Sequence, residues 1–245
     1  MSGHSKWANI KHKKEKTDAA RGKIFTKIGK EITVAVKEGG GDPNSNSKLR
    51  DLIQKAKSNN VPNDNIERCI KKAMGSTTEN YEEVSYEGYG PAGIAVIVTA
   101  TTDNRNRTAG NVRAYFSKYH GNMGQTGCVG YLFTDVGEIV INNEDGDVDE
   151  DALMECALEA GATDFKKEGD VLIVSTEPDD VYAVNEALLA AGYEILSAEK
   201  TKQASTSVTL ESEEDIKFMN LLLEKLEEDD DVTNVYHTMK EVDEE

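Results

Sequence analysis

The sequence predicts an α+β protein: an N-terminal three-helix domain followed by two ferredoxin-like α/β modules, the second inserted into the first. Three observations predict this. Apolar residues before position 76 recur at helical spacing in three separate stretches. From Gly137 onward, a complete strand–helix–strand–strand–helix–strand succession can be read, which is the ferredoxin-like order. A strand–helix–strand half flanks that succession on each side, so the two halves can combine into a second module. The expected division is a basic arm 1–16, a helical domain 17–75, a discontinuous α/β domain 80–136 plus 204–245, and an inserted domain 137–203.

The first helix is expected from Thr17 or Asp18, either of which can cap free N–H groups. Ile24, Ile28, Ile32 and Ala35 form one buried stripe, with Phe25 and Val36 beside it and Lys23, Lys27, Lys30 and Lys37 on the opposite face. Gly39 to Gly41 end the helix, and Pro43 prevents its continuation. A second helix turns Leu49, Leu52, Ile53 and Ala56 inward and carries Lys48, Arg50, Lys55 and Lys57. A third, capped by Asn63, buries Ile66, Cys69, Ile70 and Ala73 and closes at Gly75.

The inserted module is expected as strand 138–141, helix 149–160, strand 164–167, strand 171–175, helix 179–191 and strand 193–199. Before it come strand 93–101, helix 108–119 and strand 128–134. After it come strand 206–210, helix 213–228 and strand 232–237. Ser212 and Asp215 open the last helix in a weak form of the capping box.

Composition excludes several classes. No stretch approaches ~20 consecutive apolar residues, so no membrane span is expected. The start, MSGHSKWANIKHKK, has no apolar core and does not read as a signal peptide. Its basic segment runs into a helix, which argues against a transit peptide. Cys69, Cys128 and Cys156 are widely spaced on apolar faces, as reduced core residues of a cytoplasmic protein would be.

The formal net charge of −18 conceals a strong asymmetry. Residues 1–75 hold 17 Lys+Arg against 8 Asp+Glu, a net of +9, while residues 76–245 carry a net of −27. Such a division points to one polyanion-binding end.

The segment from Gly88 to Gly93 formally matches GxGxxG. The dinucleotide fingerprint needs a helix after it, and IAVIVTA reads as a strand, so a turn between two strands is expected. In Asn142 to Asp151, aligning Gly146 with an EF-hand glycine puts apolar Ile141 at the first ligand position, so calcium is not expected. The carboxylates Asp149 to Asp151 suit the N-terminus of the next helix instead. His4, His12, His120 and His237 are scattered, and neither a nucleophile elbow nor a Walker loop occurs. No catalytic residue, cofactor, metal or small-molecule substrate is expected.

Two segments point to nucleic acid. In the arm, Lys6, Lys11, Lys13, Lys14 and Lys16 surround Trp7 and His12, a mixture that can neutralise phosphates and stack on an unpaired base. The alternative is a solvated tail whose Trp packs on its own domain. Arg21, Lys23, Lys27 and Lys30 extend the basic run along the first helix. The second segment, Thr102 to Thr108, leads into a helix N-terminus beside Arg105, Arg107 and Arg113, where an anion would be favoured. The alternative is that these arginines pair with carboxylates of the acidic body.

The runs GHSKWANIKHKK, RGKIFTKIGKEI, VPNDNIERCIKK, YEGYGPAG and TDNRNRT resemble the YebC/PmpR family across nearly the whole chain. The resemblance implies three domains, one α/β domain inserted in another. It also implies a non-enzymatic probable transcriptional regulatory protein that binds DNA; a cytoplasmic monomer is expected. A mitochondrial relative is a translational activator, and bacterial members have been assigned to relieving ribosome stalling, so ribosomal RNA or the ribosome is the alternative partner. The nucleic-acid surface that the resemblance implies runs from Lys6 through Lys30. Two departures stand out: HKKEK replaces an arm richer in alanine and arginine, and Ala92 replaces a usual glycine.

Overall fold

The structure, a computed structural model, describes residues 18–75 and 80–240, with side chains from residue 22 onward. The arm 1–16 lies outside the described residues. The helices α1 (Asp18–Gly39), α2 (Ser47–Ser58) and α3 (Asn63–Met74) come first. They are followed by β1 (Glu82–Tyr89), β2 (Ala95–Thr102), α4 (Arg105–Lys118) and the two-residue β3 (Asn122–Met123). Next come β4 (Phe133–Asn142), α5 (Glu150–Ala160), β5 (Ala162–Glu168), β6 (Val171–Thr176), α6 (Val181–Ala190) and β7 (Ile195–Ala204). The described chain ends with α7 (Glu213–Glu228) and β8 (Val232–His237).

The helical domain closes on its own core. Ile28, Ile32, Ala35 and Val36 of α1 meet Leu49, Leu52 and Ala56 of α2 and Ile66 and Ala73 of α3. Gly40 takes the left-handed φ of +84° that ends α1. Asn46 then joins the two helices. Its amide donates to the Ala35 and Gly40 carbonyls at 2.8 Å each, and its Oδ1 caps α2 by accepting from Leu49 N at 3.0 Å. α3 begins differently from expectation: Pro62 is the N-cap and Asn63 the first helical residue, with no side-chain cap.

Both sheets are antiparallel with four strands, in the orders β3-β1-β2-β8 and β5-β6-β4-β7. The second is the ferredoxin-like arrangement, and all its strands come from 133–204. The first draws strands from both sides of that segment, so one module interrupts the other. In the first sheet the hairpin partners β1 and β2 hold the centre, and the connection through α4 carries the chain from β2 past β1 to the edge strand β3. α4 and α7 cover one face, where Phe116, Met219 and Leu222 pack on Val96 and Val98. In the inserted module Leu153, Val184 and Leu188 pack on Ile139, Leu172 and Val174.

Two expected strands take other forms. Residues 206–210 contribute only a single bridge, Val208 to Met239. The edge strand expected at 128–134 is the short β3 instead, followed by a helical turn at Gly130–Leu132. The reason is Glu87. Its buried carboxylate accepts the N–H groups of Gly127, Val129 and Gly130 at 2.8 Å each, giving those donors a side chain instead of a strand. Burial opposes ionisation of Glu87, but these three donors outweigh it and lower the pKa.

The GxGxxG-like segment is a turn in the β1–β2 hairpin. A Cβ at Gly88 would sit 2.6 Å from the Asn122 carbonyl, so backbone packing requires that glycine, whereas one at Gly90 would sit 2.7 Å from Met219 Sδ and force that side chain to move. Ala92 occupies the same turn at φ +51°, where a Cβ is disfavoured. Ala92→Gly is therefore expected to stabilise the protein by about 0.5–1 kcal/mol, the relieved strain exceeding the added chain entropy. Thermal or denaturant unfolding measures this.

The ends of the inserted module are neighbours. Phe133 pairs with Ala204, and Ser205 N donates to the Leu132 carbonyl at 2.8 Å. Replacing 133–204 with a short Gly/Ser linker is expected to leave a cooperatively unfolding protein, and 133–204 is expected to fold alone. Circular dichroism melts of the two pieces would check both outcomes.

Candidate nucleic-acid interface

The basic face of α1 does not stand free in solvent. Its lysines lie against the C-terminal end of α7, where a helix leaves carbonyls without partners and its dipole favours cations. Lys27 Nζ donates to the Glu227 carbonyl at 2.8 Å and Lys23 Nζ to the Glu228 carbonyl at 3.4 Å. Lys30 Nζ donates to the Asp230 carbonyl at 2.9 Å and to Asp231 Oδ1 at 2.8 Å. Lys23 also lies 3.6 Å from the Asp230 carboxylate, both groups being exposed. Burial lowers the Lys27 pKa, and the charges of Asp229, Asp230 and Glu227 restore only part of it.

The other side of Asp231 faces the loop that leads into α4. Asn104 caps that helix by accepting from Arg107 N at 3.1 Å, so Arg105 and Arg107 lie in its first turn. Arg107 Nη2 donates to Asp231 Oδ2 and to Asp103 Oδ1, both at 2.7 Å. The buried hydroxyl of Thr108 lies 2.9 Å from the same Oδ2, and that of Thr102 lies 3.2 Å away. The anion that this helix N-terminus favours is thus a carboxylate of the chain itself.

The side chain of Asp231 is only 9% exposed. Burial alone would raise its pKa. Hydrogen bonds from Lys30, Arg107 and Thr108 outweigh that and hold the carboxyl at about 2. The turn before it is ordered as well. Asp229 accepts from Tyr115 Oη at 3.0 Å, from Asn111 Nδ2 at 3.3 Å and from Asp231 N at 2.9 Å. Burial and this bond push the Tyr115 hydroxyl up to about 12.

Lys30 of the first helix and Arg107 of the second candidate segment therefore meet at one carboxylate. Lys23, Lys27, Lys30 and Arg107 surround the turn 227–231. Arg105 and Arg113 are exposed on α4 and lie outside this network. Lys6, Trp7, Lys11, His12, Lys13, Lys14 and Lys16 fall outside the described residues, and of Arg21 only its place in α1 is described. Asp231 and its neighbours were missed in the sequence, although the run Glu227 to Asp231 is the signal that could have found them. Among the described residues no group of three or more His, Cys, Asp or Glu could hold a metal ion, and no helix is long and apolar enough to cross a membrane.

Two family profiles match the chain. One, described as the TACO1/YebC protein N-terminal domain, matches residues 5–76, and the other, TACO1/YebC second and third domain, matches 81–239. The chain belongs to the TACO1/YebC family. A relative from Lachnoclostridium phytofermentans is 57% identical over 98% of this chain and 100% of its own length. One from Acetivibrio thermocellus is 57% identical over 97% of this chain and 98% of its own. Both are named probable transcriptional regulatory protein. A crystal structure of a conserved hypothetical protein from Aquifex aeolicus superposes with a TM-score of 0.85 at 46% identity, covering 98% of each chain.

In this member of the family, Asp231 makes stability depend on acid. Its folded pKa lies below the ordinary value, so its contribution is present above about pH 4 and is lost as pH falls toward 2. Melts of the parent and of Asp231→Asn between pH 4 and 2 measure this. The parent is expected to lose more stability over that range, by on the order of 2 kcal/mol.

Proposed function

We propose that this protein is a nucleic-acid-binding, non-enzymatic regulator of gene expression, acting in the cytoplasm as a monomer, with DNA as its principal target. The observation that carries this reading is the charge division, +9 over residues 1–75 against −27 over the remainder. A protein this acidic is repelled by phosphate everywhere except at its basic end, so that end sets the orientation of binding. The names of the relatives support a role in transcription. Backbone contacts dominate in this reading, because lysines on a short segment position a duplex without reading its bases.

Trp7 favours a second reading, with ribosomal RNA as the target and translation as the process. A ring among lysines can stack on an unpaired base, which folded RNA offers and intact duplex DNA does not.

One set of measurements tests both readings: gel shift on duplex DNA beside ribosome co-sedimentation, with salt titrated in each. With ~5 phosphates contacted, the log–log salt slope on duplex DNA is expected to be roughly −4, and deleting 1–16 is expected to weaken binding sharply while leaving the melt unchanged. Trp7→Ala is expected to cost ~1–3 kcal/mol on a single-stranded or ribosomal target and little on duplex. A slope near zero in the intact protein would rule out the electrostatic basis of the proposal. Loss confined to the ribosome in Trp7→Ala would decide for translation.

A further inference from the structure

The helical domain is held to the rest of the chain by polar contacts. Every buried residue of its apolar cluster, and every residue packed against that cluster, comes from residues 24–73 of the domain itself. The contacts outward include ion pairs and hydrogen bonds. Lys30 meets Asp231, Lys48 meets Glu83 at 2.9 Å, and Asp51 meets Lys200 at 2.9 Å. Between α1 and the open face of the first sheet lies a cleft of about 330 Å³ bordered by Glu31, Thr99 and Tyr236. Charge therefore contributes to the seating of this domain on the rest of the chain.

The group it is seated on has the chemistry of a phosphate backbone. The carbonyls of Glu227, Glu228 and Asp230 accept from Lys27, Lys23 and Lys30, and the Asp230 carboxylate lies 3.6 Å from Lys23. Asp231 adds a buried carboxylate that also takes Arg107. These cations are among those that a polyanion-binding surface would use.

We propose that Lys23, Lys27, Lys30 and Arg107 form a polyanion-binding surface that the chain masks with its own acidic turn Glu227–Asp231, so that a phosphate backbone and this turn compete for the same four cations. The inference rests on the nucleic-acid reading above and adds to it a masked state. The turn is part of the same chain, so it acts at high effective concentration. External polyanion binds with its intrinsic affinity reduced by the fraction of molecules that are open. Weakening the turn then tightens external binding even though no cation has been added.

The test uses the full chain and a fluorescent 20-nucleotide duplex as the probe. Asp231→Asn keeps the shape and removes the charge. It is expected to bind the duplex about tenfold more tightly, roughly 1.4 kcal/mol. Glu227→Gln with Asp230→Asn leaves the Asp231 network whole and is expected to give a two- to threefold gain, which keeps the proposal testable if Asp231→Asn folds poorly.

Interdomain distance is read by energy transfer between dyes at Lys57→Cys and Glu224→Cys, with Cys69, Cys128 and Cys156 replaced by alanine. Added duplex is expected to lengthen that distance, and Asp231→Asn to lengthen it without duplex. Binding with unchanged distance, or variants that bind no tighter than the parent, would overturn the masked state and leave the nucleic-acid reading standing. Absence of duplex binding by the parent and both variants would overturn the two together.

Discussion

One buried carboxylate sets the relation between the parts of this molecule. Asp231 follows the C-terminus of α7 and precedes β8, and its two oxygens point in different directions. Oδ1 takes Lys30 from the helical domain, and Oδ2 takes Arg107, Thr108 and Thr102 from the start of α4. Its backbone carbonyl accepts from Thr101 N at 2.8 Å, so the end of β2 is fixed by the same residue. A buried charge is tolerable only when its lone pairs are occupied, and removal of any one donor leaves the remaining geometry strained for partners. Helix, loop and sheet edge are therefore specified together.

Around that point each of the three structural units keeps an apolar cluster of its own, and ion pairs tie the helical domain to the rest. Each α/β module has helices on one face of its sheet and a cluster of its own. A smaller cluster joins the modules where Val129, Leu132 and Phe133 lie against Ile97 and Tyr236. The two modules thus share apolar surface, and the helical domain shares none in its cluster. Interfaces of this polar kind permit relative movement more readily than apolar ones.

The sequence made the elements legible wherever periodicity was local. The Ile24–Ile28–Ile32 stripe, the βαββαβ succession and the last helix at 213–228 all rest on residues a few positions apart. It failed where partners came from far away. Glu87 captures amides some forty residues onward, which turned the expected strand at 128–134 into a loop and a helical turn. The lysines of α1 read as an outer face because their spacing shows only what they oppose on their own helix. Their partners are 200 or more residues distant, and nothing local to α1 names them. The arginines of the TDNRNRT loop allowed two readings for the same reason: a helix N-terminus attracts an anion without specifying whose.

The distance between β2 and its neighbour has a further consequence during synthesis. Ala95 N donates to Thr238 Oγ1 across a separation of 143 residues, and β8 is the strand that flanks β2. A chain emerging from its N-terminus can finish the helical domain early, and then the inserted module, since each closes locally. The interrupted module has to wait for the last strand. Until α7 and β8 appear, no acidic turn exists for the lysines of α1, and the nascent chain carries its basic helix uncovered. Emergence of residues 227–231 is thus the event that pairs it, and any chain truncated before residue 227 keeps its basic helix without that turn.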